Sequence, residues 1–243
     1  MIEVIAFDAD DTLWQSESLY FQAQREFQAL LAPYVGDNGV VDTLYETEMG
    51  NLPYYGYGIK SFALSMIETA IRLTDAKIDV RDIQRIVDLA KEMLGAPVRL
   101  LDQVEEVIPV LSDSYPLLII TKGDLIDQEA KVARSGLAPY FSAVEVVSDK
   151  TPDVYRTVLA KHQIDPGRFL MVGNSLRSDI LPVVSLGAQA VHIPYHITWE
   201  HEKVPEAAGQ AAEFLEIEHI GLLLELVARL EQGVQPESQP QRT

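Results

Sequence analysis

The chain has 243 residues, 37 acidic against 19 basic, for a formal charge of −18, and no cysteine. The acidic balance argues against binding of a nucleic-acid polymer, and the missing thiols exclude disulfides and thiolate metal sites. With 47% hydrophobic residues, no apolar run long enough to cross a bilayer and no basic start leading into an h-region, a globular cytoplasmic protein with no membrane partner is expected.

Residues 2–7 (IEVIAF) read as a short buried strand that ends in three close carboxylates, Asp8, Asp10 and Asp11. Four further apolar runs follow, at 116–121, 143–147, 168–172 and 189–193, with helix candidates between them near 125–135, 152–163 and 178–186. Such runs show little polar alternation, and helices separate them. This predicts an α/β fold: a doubly wound parallel sheet covered on both faces. About a hundred residues separate the first strand from the second. They read as helical over 17–31, 60–74 and 79–94, and Gly95 and Pro97 mark a stop. The expected organisation is a core of residues 1–14 and 99–232, a helical insertion over 15–98 capping the sheet, and a disordered tail over 233–243. A helix over 100–112, kinked or shortened by Pro109, and a last helix over 216–232 complete the core.

Ligands in open α/β sheets sit beyond the carboxyl ends of the strands. After the first strand, Asp8 and Asp10 are two residues apart, so in extended chain they share a face. Such a pair can hold Mg²⁺, and one carboxylate can attack phosphorus while the other exchanges protons with leaving group and water. Turn or capping carboxylates are the plainer reading, and for Asp11 the preferred one. After the second strand, Thr121, Lys122, Gly123 and Asp124 offer a hydroxyl and successive amides to a phosphate. After the third, Thr151 and Pro152 read as the start of a helix, which pins Lys150 just before it. After the fourth, Asn174 and Asp179 follow Gly173 as oxygen ligands near a further helix start. Each signal alone has a structural explanation; their order at four strand ends is what points to one site.

Together these motifs resemble the haloacid dehalogenase superfamily of hydrolases, phosphatase type, with a helical cap inserted after the first strand. Asp8, Asp10 and Thr12 match its first motif, Thr121 its second, Lys150 its third, and Gly173 through Asp179 its fourth. The resemblance implies that Asp8 is the nucleophile and a Mg²⁺ ligand. It implies that Asp10 is general acid and base and gives a backbone carbonyl to the metal. Thr121 with the amides of Lys122 and Gly123 would hold the phosphoryl group, Lys150 would stabilise Asp8 and the phosphoryl oxygens, and Asp179 would complete the metal site. Asn174 departs from the family pattern, which has an acid there; its amide oxygen can still ligate, without charge. Family members that cleave carbon–halogen bonds lack an acid at the position of Asp10, so the resemblance implies a Mg²⁺-dependent phosphatase acting on a small phosphorylated metabolite of the nucleotide or sugar phosphate class. A phosphomutase or phosphotransferase on the same scaffold, or a non-catalytic member binding a phospho-ligand or partner, are the alternatives.

Specificity is expected in the insertion. Residues 51–60 (NLPYYGYGIK) read as a shaped loop facing the cleft. Tyr54, Tyr55 and Tyr57 could stack on a base or sugar there and Lys60 could meet a second anionic group, the alternative being tyrosines that pack a hinge. The stretch from Tyr195 to Glu202 has no metal-type histidine spacing and reads as a rim loop.

Overall fold

The computed structural model describes residues 1–36, 39–197, 199–204 and 213–233. Apart from Gly233, the expected tail lies outside the described residues. Strands β1 (Val4–Phe7), β2 (Leu117–Lys122), β3 (Ala143–Val147), β4 (Phe169–Gly173), β5 (Gln189–His192) and β6 (Leu215–Glu216) form one sheet in the order β3-β2-β1-β4-β5-β6, every neighbour parallel. The fold is therefore the expected α/β sheet with helices on both faces. β1 is central, and the chain order runs away from it in both directions. The crevice of an open sheet lies at such a switch point, and here it falls where β1 ends in Asp8.

The strand period of two divides the core. Ile5 and Phe7 of β1, with Ile119 and Val172, face one side. They pack against α5 (Val104–Ser112), α6 (Leu125–Ser135) and the last helix, called α9 below (Leu223–Glu231). Ala6, Leu118, Ile120 and Met171 face the other side, against α7 (Pro152–Lys161), a π-helical turn (Leu176–Ile180) and α8 (Leu181–Val184). The inner strands β1, β2 and β4 are nearly free of polar residues because neither face meets water.

Four helices, α1 (Glu17–Val35), α2 (Val40–Tyr55), α3 (Ile59–Leu73) and α4 (Val80–Gly95), build a third apolar cluster around Phe27, Leu31, Leu44, Met66 and Ile86. The chain leaves the sheet and returns to it side by side: Gln15 N donates to Arg99 O at 2.9 Å and Leu101 N to Leu13 O at 3.0 Å. Asp11 caps the start of α1, its carboxylate accepting from the amides of Ser16 and Glu17 at 2.8 and 2.9 Å.

Three sequence expectations change. The loop expected over 51–60 is in its first half the end of α2, which runs through Pro53 to Tyr55. The buried positions of α2 are Val40, Leu44, Thr47 and Asn51. Their spacing is helical, but two are polar, so no apolar stripe announces the helix. Asn51 Nδ2 instead donates to Ser65 Oγ at 3.1 Å and to Glu68 at 2.9 Å, across to α3. The helix expected over 100–112 begins only at Val104, because Leu100 pairs with Trp14 in an antiparallel bridge and Gln103 takes a positive φ of 67°. The helix expected over 216–232 is shorter, since Leu215 and Glu216 pair with β5 as an edge strand. Among the described residues no helix is long and apolar enough to cross a membrane.

The three clusters are close-packed, so a void in the helical one is costly. Phe27→Ala, at a fully buried position, should lower stability by about 3–5 kcal/mol. Urea denaturation followed by circular dichroism measures the loss.

Candidate active site

The carboxyl ends of β1, β2 and β4 and the loop before α7 bring Asp8, Asp10, Thr121, Lys150, Asn174 and Asp179 around one cavity of about 560 Å³. Asp8, Lys150 and Asp179 are 6%, 4% and 1% exposed. Lys150 Nζ donates to Asp8 Oδ1 and, at 2.6 Å, to Asp179 Oδ1. The lysine is placed by the helix start behind it, where Thr151 Oγ1 accepts from Val154 N and Pro152 opens α7. Burial alone would lower the Lys150 pKa, but the carboxylates of Asp179 and Asp8 outweigh it and raise it. Burial pushes the Asp8 carboxyl up to about 7, Lys150 pulls against this, and the charges of Asp179 and Asp10 add to it.

The fourth strand's loop is held tightly. Asp179 Oδ2 accepts from Ser175 N at 3.0 Å, and Gly173 lets the two approach: a Cβ there would lie 2.4 Å from the Asp179 Cγ. The Thr12 hydroxyl is 3.3 Å from Asp8 Oδ2 and 3.2 Å from Asn174 Oδ1, and its single proton serves one of them at a time. His192 Nε2 lies 3.0 Å from the Asn174 carbonyl oxygen and fixes the turn.

Asp10 has a separate set of partners. Trp14 Nε1 donates to Oδ1 at 2.7 Å, Gln128 Nε2 to Oδ2 at 2.8 Å, and Lys131 Nζ to Oδ1 and Oδ2 at 3.0 and 3.2 Å. Burial would raise the Asp10 pKa, but Lys131, Gln128 and Trp14 together bring it below the usual carboxylate value. The sequence reading missed Gln128 and Lys131. Their signal is that α6 turns Asp127, Gln128 and Lys131 inward, a polar stripe at helical spacing where an apolar one is the rule.

At the second strand, Thr121 is buried and within 3.2 Å of Gln128 Nε2. Gly123 takes φ 145° and leaves Gln128 the room to cross behind it, where a Cβ would come within 2.9 Å of Nε2. The Lys122 side chain has its own task. Its Nζ donates to Ser178 Oγ at 2.8 Å and to Glu202 Oε1, and it lies 4.4 Å above the centre of the Tyr57 ring. Glu202 also accepts from Ser175 and Ser178. Burial opposes its ionisation, but Lys122 and the two serines win and hold its pKa down to about 2.

Of the insertion's candidates, only Tyr57 reaches the cavity. It packs edge-on against Trp199 at 6.0 Å between ring centres, and its hydroxyl is 3.3 Å from His201 Nε2. Tyr54 and Tyr55 do not line it: they end α2 on its outer side, Tyr54 being 81% exposed. Lys60 is also outside the lining and pairs with Asp124 at 2.8 Å. The wall opposite the strands is made instead by Tyr20, Tyr45, Phe62, Glu17 and Glu48.

For a metal, the donors at the floor are Asp8 and Asp179 carboxylates and the Asn174 amide oxygen. This all-oxygen set fits a hard dication such as Mg²⁺. Among the described residues no group of three or more His, Cys, Asp or Glu side chains is arranged as a metal site; the third donor here is the Asn174 amide.

The haloacid dehalogenase-like hydrolase family model matches residues 2–187. The chain is 26% identical over 201 residues to the glyceraldehyde 3-phosphate phosphatase of Pyrococcus abyssi, covering 80% of this chain and 82% of that protein. It superposes on a haloacid dehalogenase-like family hydrolase from Xanthomonas campestris with a TM-score of 0.85 and 39% identity, covering 96% of this chain and 93% of that one. A 2-haloacid dehalogenase from Pseudomonas syringae pv. tomato shares the fold, with a TM-score of 0.63 and 24% identity over 95% of this chain and 100% of its own.

The cavity wall predicts a pH effect. Burial, helped by Asp11, Asp10, Glu48 and Glu202, raises the Glu17 carboxyl from 4.5 to about 8. An acid whose pKa rises on folding is neutral in the folded chain while ionised in the unfolded one, so stability falls as pH climbs between those two values. Glu17→Gln should therefore match the wild type in melting temperature at or below pH 4.5 and exceed it increasingly up to about pH 8. Thermal unfolding across that range measures the gap.

Proposed function

The chain belongs to the haloacid dehalogenase-like hydrolases, and from that premise we propose that it hydrolyses a small phosphate monoester through an aspartyl-phosphate on Asp8. The observation that carries this reading is the Asp10 carboxylate lining the same cavity as Asp8, Thr121 and Lys150. Cleaving a phosphate ester requires a group that exchanges protons with the leaving oxygen and with water, and we assign that role to Asp10. The Pyrococcus relative, named as a phosphatase, supports the same class of reaction. The aromatic wall of Tyr20, Tyr45, Tyr57 and Trp199 suits a ring-bearing alcohol, of the sugar or nucleoside kind.

On this reading an Asp8 oxygen attacks phosphorus in line, and the bond from phosphorus to the alcohol oxygen breaks. The departing oxygen keeps the electron pair and takes a proton from Asp10. Asp10, again a carboxylate, then removes a proton from water as the water oxygen bonds to phosphorus and the Asp8–phosphorus bond breaks. Thr121 and the amides after it orient the phosphoryl oxygens, while Lys150 favours the ionised form of Asp8 and positions it. Mg²⁺, held by Asp8, Asn174 and Asp179, would supply charge stabilisation to the phosphoryl group.

Asp8→Asn should reduce turnover of p-nitrophenyl phosphate by at least about 1000-fold with the fold intact by circular dichroism. EDTA should abolish wild-type turnover and added Mg²⁺ restore it. Wild-type rates from Asp8→Asn overturn the assignment.

A further inference from the structure

The α6 residues that meet Asp10 have no part in the reaction as described so far. Asp10 Oδ1 accepts from Trp14 Nε1 and Lys131 Nζ, and Oδ2 accepts from Gln128 Nε2 and Lys131 Nζ. Three side chains thus hold the orientation of one carboxylate, and Lys131 is the one that spans both of its oxygens.

None of the three donors is free to swing. Trp14 and Gln128 are buried, and Lys131 is 8% exposed. Gln128 Nε2 also reaches Thr121 Oγ1 at 3.2 Å and the Lys122 carbonyl at 2.7 Å, so it is tied to the phosphate loop. Lys131 is different: its ammonium contacts two carboxylates, Asp10 and, at 3.5 Å, Asp127 one turn earlier on α6. It faces the cavity from α6 and shares the Asp10 Oδ1 oxygen with Trp14.

We propose that Lys131 is a positioning residue for the second half-reaction, holding the Asp10 carboxylate where it takes the proton from the water that cleaves phosphorylated Asp8. The proposal rests on the aspartyl-phosphate reading above. In that step the water oxygen bonds to phosphorus, one water proton passes to Asp10, and the Asp8 oxygen leaves with its electron pair. Without Lys131, Asp10 keeps two neutral donors but loses the charge and the contact shared by both its oxygens.

The first half-reaction on p-nitrophenyl phosphate needs little help from Asp10, because p-nitrophenolate leaves without a proton. This separates the two halves. For Lys131→Met, assayed with Mg²⁺, kcat should fall on the order of 100-fold. KM should fall with it, leaving kcat/KM within about threefold of wild type. Stopped-flow should show a burst of about one p-nitrophenolate per active site as phosphorylated Asp8 accumulates. Lys131→Arg should recover most of kcat. If Lys131→Met does not fold, Lys131→Gln, which removes the charge and keeps a donor, reads the same split. An equal fall in kcat and kcat/KM, unchanged kcat, or a lowered kcat with no burst overturns the proposal. Asp8→Asn is run alongside: if it turns over like wild type, the nucleophile assignment fails and this proposal with it. If Asp8 is required and the split is absent, only the role of Lys131 is lost.

Discussion

The site depends on one buried ammonium. Lys150 Nζ sits between Asp8 and Asp179, whose carboxylates repel each other and are nearly out of reach of water. Removing charged groups from solvent costs several kcal/mol each, and a pair recovers that only with good geometry. Here the geometry is provided on three sides. Asp8 follows the central strand directly, Asp179 is locked to Ser175 N by the close approach that Gly173 permits, and Lys150 is pinned ahead of α7. Take away the lysine and two carboxylates remain buried and unpaired, so the strand ends would move apart or take up protons.

The same logic repeats a few ångströms away with different parts. Lys131 stands to Asp10 and Asp127 as Lys150 stands to Asp8 and Asp179. Gln128 ties this second assembly to the second strand's end, through its contacts with Asp10 and Thr121. A third cation, Lys122, is held by Glu202 and lies over Tyr57. This links the segment after β5 to the turn between α2 and α3, so the wall of the cavity and its floor share a contact.

Much of this was legible in the sequence because the sheet announces itself. Strands buried on both faces are apolar throughout, and whatever polar residues follow them stand out at the switch point. Asp8, Thr121, Lys150 and Asp179 are visible for that reason, and the parallel sheet with them. What escaped detection is polar burial inside helices. Thr47 and Asn51 occupy inward positions of α2, so its periodicity is masked and Pro53 and the glycines nearby look like loop punctuation. Gln128 and Lys131 are residue types of a solvated helix face, yet both point inward on α6. Tyr54 and Tyr55 erred in the other direction: tyrosines beside glycines look like a binding loop, but a helix end turns them outward. Glu202 lies far from Lys122 in sequence, and nothing local marks it as a partner.

The balance of charge around the cavity bears on what the site can accept. Asp8, Asp179, Asp10, Asp127 and Glu202 face Lys150, Lys131 and Lys122, and each lysine is already engaged by at least one of those carboxylates. A phosphate dianion entering this floor meets no uncommitted side-chain cation among them. Its approach is opposed by carboxylates at separations where the low local dielectric makes repulsion large. On the proposed reading Asp8, Asn174 and Asp179 would hold a hard dication whose charge would offset that repulsion, and Lys150 would share its ammonium between these carboxylates and a phosphoryl oxygen. Asn174 matters here for its neutrality. An acid in its place would add another negative charge beside Asp8, whereas the amide oxygen offers a ligand and leaves the deficit no deeper. The three lysines keep the acidic floor folded, and the amide at Asn174 limits how much further charge a bound phosphate has to overcome.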